Sequence, residues 1–179
     1  FDDVRRHATM KWETGQLIYM VGDALPSLGG SEFLSLIYAE VTGQPPALDL
    51  STEEAVQKAV RTLIEDGIIR TAHDLSLGGL AVALSKMAVV SGIGAKVDSN
   101  VILKRSHRVD EAWFGESASQ IIVTCDPSSR TRFETILKDA GVAFTLLGET
   151  GGNQLDFDLV AFDLSALRAA LDRAFDLPE

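Results

Sequence analysis

The feature that most constrains this chain is a short, nearly continuous apolar run, Leu17-Ile18-Tyr19-Met20-Val21, ending at Gly22-Asp23. So short a run with β-branched and aromatic members favours a buried strand over a helix. Its backbone groups need partner strands, and its side chains need a covering layer. The remaining sequence offers both. Ile68 to Ala72, Ala95 to Val97, Ser119 to Cys125 and Ala143 to Leu147 read as further strands. Gly151-Gly152-Asn153 reads as a hairpin turn, and Leu155 to Leu159 alternates as a half-buried edge strand would.

Segments of helical period lie between these strands. After a loop containing Pro26, Ser27, Gly29 and Gly30, Ser31 can cap a helix whose stripe is Leu34, Ile37, Tyr38 and Val41, with Gly43 placed to end it. Past Pro45-Pro46, Ser51-Thr52-Glu53-Glu54 matches a capping box, and Ala55, Val56, Val60, Leu63 and Ile64 form the next stripe before Asp66-Gly67. An alanine-rich helix runs from Leu80 to about Val89. Asp126-Pro127-Ser128 opens another, with Phe133, Ile136, Leu137 and Ala140 inward. The last runs from Ser165, capped by Asp163 or Ser165, with Leu167, Ala170, Leu171 and Ala174 as its stripe. The expected fold is α+β: one mixed sheet covered by helices on one or both faces, in a single domain over residues 1–179.

Composition narrows the functional classes. A net charge of −10 opposes a sequence-independent grip on nucleic acid, which needs a basic face. No apolar run approaches the roughly 20 residues that span a bilayer, so no membrane role is expected and the chain is expected in the cytoplasm. Cys125, the single cysteine, reads as a buried structural thiol. The chain starts at Phe1, and Phe1 to Arg6 has no signal-peptide character, so a piece of a longer multidomain chain is expected.

Two segments stand out chemically. His73-Asp74-Leu75-Ser76-Leu77-Gly78-Gly79 lies where a strand ends and a helix begins, and the free N–H groups of a first helical turn suit an anion. Gly78 and Gly79 would admit a ligand close to the backbone. The plain alternative is that Asp74 or Ser76 only caps the helix and the glycines serve tight packing. His73 has the pKa range of a proton carrier but no assignable partner, and a backbone-tied histidine is the simpler reading. In Phe114-Gly115-Glu116-Ser117, just before a strand, Glu116 and Ser117 could hydrogen-bond a ribose or amide while Trp113 and Phe114 anchor the loop; a mere surface loop is the alternative. His7 and His107 lie in polar stretches expected to be exposed, and no histidine or cysteine pair has metal-ligand spacing. There is no P-loop, no dinucleotide fingerprint and no nucleophile elbow. Asp156 and Asp158 alternate with apolar residues and read as solvent-facing rather than metal-binding.

Ala72-His73-Asp74-Leu75-Ser76-Leu77-Gly78-Gly79-Leu80-Ala81-Val82-Ala83-Leu84 resembles the signature of the second C-type domain of the phosphoribosylformylglycinamidine synthase family. Gly30-Ser31-Glu32-Phe33-Leu34, Gly43 to Leu50, Phe114-Gly115-Glu116-Ser117 and Leu147-Gly148-Glu149-Thr150 match in the same order, so the resemblance covers about residues 15–150. It implies the fold of the C-terminal domain of aminoimidazole ribonucleotide synthetase, partly ferredoxin-like. It also implies a ligase that converts formylglycinamide ribonucleotide, ATP and glutamine-derived ammonia to formylglycinamidine ribonucleotide, with magnesium. The implied partners are the N-terminal domains of the same chain, a glutaminase subunit and a small accessory subunit.

The family's first C-type domain carries Glu-Ser-Gln at a loop that touches substrate. Here the stretch is Glu116-Ser117-Ala118, which fits the second copy, whose cleft resembles an auxiliary nucleotide site. No position matches the family's catalytic histidine or magnesium ligands, which lie in its N-type domains. The resemblance therefore gives this chain no catalytic residue and no metal, and leaves His73, Asp74, Ser76, Gly78, Gly79, Glu116 and Ser117 as cleft candidates. By itself this chain should need no cofactor and show no turnover. Two alternatives remain: the equivalent domain of aminoimidazole ribonucleotide or selenophosphate synthetases, and a non-catalytic docking or nucleotide-binding module.

Overall fold

A computed structural model describes residues 6–173. Its elements are β1 (Leu17–Val21), α1 (Glu32–Tyr38), α2 (Leu50–Glu65), β2 (Ile69–Asp74), α3 (Gly79–Ser91), β3 (Ala95–Val97), α4 (Ser99–Leu103), α5 (Val109–Phe114), β4 (Ile121–Cys125), α6 (Arg130–Asp139), β5 (Phe144–Thr150), β6 (Gln154–Asp156), β7 (Ala161–Asp163) and α7 (Leu164–Arg173). The strands form one seven-stranded sheet in the order β2-β4-β1-β5-β3-β6-β7. Neighbours are antiparallel except β3 and β6, so the sheet is mixed, as expected.

The ferredoxin-like part is explicit. β1-α2-β2 and β4-α6-β5 are two strand–helix–strand units that interleave: β4 lies between β1 and β2, and β1 lies between β4 and β5. The insertion from α3 to α5 separates the units.

β1 is apolar at every position because both faces of the sheet are covered. Ile18 and Met20 enter one core with Leu80, Leu84 and Met87 of α3. Tyr19 and Val21 enter a second core with Val56, Val60 and Leu63 of α2 and Phe133 and Leu137 of α6. Each such side chain contributes about 1.5–3 kcal/mol over its exposed state. Cys125 is buried in the second core, where burial pushes its thiol up to about 11.

Several sequence expectations change. The stop of α1 is Ala39 in a left-handed conformation (φ 55°). Gly43 lies beyond it and packs on Gly29; a Cβ at Gly43 would sit 2.9 Å from Gly29 Cα. Ser31 does cap α1, accepting from Leu34 N, but α1 buries no residue, and Ile37, Tyr38 and Val41 are exposed. Asp49, not Ser51, caps α2: its carboxylate accepts from the Ser51 hydroxyl and from the backbone N–H groups of Thr52 and Ser51, which hold it below the ordinary range.

Gly151-Gly152-Asn153 is not a hairpin turn, because β3 lies between β5 and β6; the turn instead bonds to Gly94 from both sides. The expected strand 155–159 ends at Asp156, since Phe157 turns inward onto Trp113 (4.7 Å between centroids) and Asp158 takes a positive φ of 59°. Helices α4 and α5 are not among the expected elements: they lie on either side of the polar stretch around His107, and α5 ends in the loop anchors Trp113 and Phe114. In α7, Leu164 and Leu167 pack on the core while Ala170 is exposed; Ala174 lies outside the described residues, as do residues 1–5. Among the described residues, no helix is long and apolar enough to cross a membrane.

Candidate functional site

The loop leaving β1, the β2–α3 turn and the entrance to β4 gather at one end of the sheet. Ser27 and Glu116 form an isolated antiparallel bridge, with Glu116 N donating to Ser27 O at 2.8 Å. Glu116 Oε1 accepts from Gly78 N at 2.9 Å and from Glu32 N at 3.0 Å. One carboxylate therefore occupies the N-terminal amides of both α3 and α1, where the partial positive charge of each helix end stabilises it. The buried Ser117 hydroxyl lies 2.5 Å from Leu25 O, to which it donates.

The two segments singled out by sequence thus meet through Glu116. Gly78 is the N-cap of α3 with φ 82° and has no side chain to cap with; Glu116 takes that place from a remote segment, and neither Asp74 nor Ser76 has the role. Asp74 and Ser76 are exposed at the rim. Gly79 serves close packing: a Cβ there would lie 2.7 Å from Gly115 O and from Phe114 C. Phe114 anchors the loop by stacking on Phe33 at 4.9 Å and 20°. Of the seven candidates, Gly78, Gly79, Glu116 and Ser117 come together.

His73 is the last residue but one of β2, extending that strand past Ala72. Its Nδ1 stands 3.7 Å from Asp74 Oδ1. Burial, and more weakly Lys86, push the imidazole below its ordinary value, against an opposing effect of Asp74. It makes no hydrogen bond or ion pair to Glu116. The other histidines of the polar stretches, His7 and His107, are exposed as expected.

Sequence reasoning missed a second polar group at this end. Arg105 Nη2 donates to Gln120 Oε1 at 2.8 Å, and Gln120 Nε2 donates to Ala24 O at 2.7 Å. Burial lowers the Arg105 guanidinium to about 10. Its sequence signal was only a Lys- and Arg-rich stretch, and no spacing rule distinguishes the one arginine that turns inward. Among the described residues, no group of three or more His, Cys, Asp or Glu side chains could hold a metal. The arrangement can orient loops and present donors.

The model of the family described as "AIR synthase related protein, C-terminal domain" matches residues 13–158. A phosphoribosylformylglycinamidine synthase subunit of Synechococcus sp. (strain JA-2-3B'a(2-13)) is 41% identical over 174 residues, covering 91% of this chain and 22% of that protein. The subunit of Moorella thermoacetica is 40% identical over 141 residues, covering 79% of this chain and 19% of that protein. The chain thus spans about a fifth of the length of these relatives. Among solved structures, the Thermotoga maritima protein PurL complexed with FGAR matches with a TM-score of 0.74 at 19% identity, over 90% of this chain and 29% of that one. The same protein complexed with ATP matches at 0.69 and 18%, over 90% and 27%. At such identities these structures establish the fold.

Proposed function

The chain belongs to the family of AIR synthase related C-terminal domains, and from that premise we propose that it is the C-terminal domain of a phosphoribosylformylglycinamidine synthase. The observation that carries the reading is the 41% identity over 91% of the chain. In this reading the parent enzyme joins ammonia derived from glutamine to formylglycinamide ribonucleotide at the expense of ATP. The chain is the wall of an interdomain cleft, on the auxiliary nucleotide side, and carries no catalytic residue of its own.

The geometry gives that wall a definite construction. Glu116 fills the anion position that Gly78 and the first turn of α3 would otherwise offer, so phosphate is not held there while the carboxylate stays in place. Glu116, Ser117, Gly78 and Gly79 hold the loops in register, and Asp74 and Ser76, with His73 behind them, form the rim toward a neighbouring domain. Magnesium, glutaminase and accessory subunit belong to the complete enzyme; the described residues gather no metal ligand set.

The test is reconstitution. This chain is mixed with the remainder of its parent, formylglycinamide ribonucleotide, ATP, magnesium and ammonium, and ADP release is followed. Turnover only with both pieces supports the reading. Association of folded pieces without turnover rejects it.

A further inference from the structure

Arg105 follows α4 and places its guanidinium under the loop that leaves β1. Nη2 donates to Gln120 Oε1 at 2.8 Å and reaches Ala24 O at 3.5 Å, both neutral acceptors. Nη1 is enclosed and has no hydrogen-bond partner among the described residues. No ion pair among the described residues includes Arg105, although the chain carries 26 acidic residues against 16 basic ones. Neutral acceptors satisfy donors but do not cancel charge, and a charge withdrawn from water without a counter-charge is strongly unfavourable. An apolar side chain of similar length would fill this space at less cost.

A charge held at such a disadvantage is accounted for when its counter-charge arrives with a ligand. The loop beside it has donors to add: among the described residues, the backbone N–H groups of Asp23, Ala24 and Leu25 find no acceptor. A guanidinium fork with backbone donors on a neighbouring loop suits a phosphate, which offers more acceptor oxygens than a carboxylate. We propose that Arg105 is the anchor for a ligand phosphate group at this end of the sheet, with Gln120 as the positioning residue that holds the guanidinium. The site is separate from the helix end filled by Glu116. It takes only its location, at the cleft wall, from the function proposed above.

The phosphate could come from a sugar phosphate monoester or from a nucleotide polyphosphate, and thermal unfolding of this chain distinguishes them. Ribose 5-phosphate and ADP are added separately, at millimolar concentration, to the wild type, Arg105→Met and Arg105→Lys. The wild type is expected to gain stability with at least one probe. A gain with ribose 5-phosphate alone identifies the monoester as source, and a gain with ADP alone identifies the polyphosphate. Arg105→Met should unfold at the same or a higher temperature than wild type without ligand, and lose the gain. Arg105→Lys, which keeps the charge but not the fork, should retain a reduced gain. The proposal is overturned if neither probe stabilises the wild type, or if Arg105→Met keeps the full gain. It is equally overturned if Arg105→Met unfolds at a lower temperature without ligand, since the guanidinium would then be structural. Because this readout needs no other domain, it stands or falls apart from the reconstitution.

Discussion

Helices α1 and α2 follow one another in the chain, and both carry apolar residues at helical spacing, yet they end in opposite surroundings. α2 buries Val56, Ala59, Val60 and Leu63 against the sheet and α6. α1 buries nothing: Leu36 is 74% exposed and Ile37 62%. It is fixed instead by the Ser31 cap, the Glu116 carboxylate and the stacking of Phe33 on Phe114. The difference teaches that an apolar stripe announces a face to be covered but not what covers it. Both helices lie in the one connection from β1 to β2, and position within it decides: α2 runs directly into β2 and is laid back on the sheet, whereas α1 stands on the loop that leaves β1, separated from α2 by the stretch 39–49.

The largest effect that could break this comparison comes from equal truncations in the two helices. Leu63→Ala should cost about 2–5 kcal/mol by urea unfolding, as a fully buried leucine does. Ile37→Ala should stay within about 0.5 kcal/mol. A large loss from Ile37→Ala would mean that α1 is covered in the folded chain after all.

Removing the carboxylate that ties α1 to α3 should have a smaller effect. Glu116→Ala is expected to cost about 1 kcal/mol, the usual value of a lost helix cap. Hydrogen exchange should locate the loss at Glu32 and Gly78, with α2 amides unchanged. Uniform acceleration across both helices would contradict the local role.

The smallest effect concerns pH. Burial holds the folded-state pKa of His73 below its unfolded value of 6.5, so the unfolded chain takes up the proton first. The stability this neutral histidine contributes is complete above pH 6.5 and is lost as pH falls through that value toward the lower folded pKa. Urea midpoints at pH 7.5 and pH 5 should therefore diverge less in His73→Gln than in wild type. The histidine senses Lys86 of α3, so the acid sensitivity should belong to the α3 side rather than the α2 side. An unchanged difference in the variant would remove His73 from the account.

How much could be read in advance differs between the scaffold and the site. The run Leu17 to Val21, the capped helices and the buried thiol of Cys125 follow from local pattern, and the family resemblance drew attention to the His73 to Leu84 stretch, whose Gly78 N–H meets Glu116. Asp49 was missed as a cap because Ser51 and Glu54 offered a competing pattern two residues later. The break at Asp158 and the path of β6 were missed because both depend on Phe157 and β3, distant in sequence.

The sequence by itself determined β1, β2, β4 and β5, the helices α2, α3 and α6, that the sheet is mixed and covered, and where the glycine-rich turn falls, because these rest on periodicity and backbone preference within a few residues. Only the tertiary structure decided that Glu116 fills the helix ends beside Gly78, that the apolar stripe of α1 stays uncovered, and that the Arg105 guanidinium is drawn in with no counter-charge among the described residues. Each of those depends on which groups from remote segments arrive at one point in space. That is fixed by strand order and packing, and no local pattern carries it.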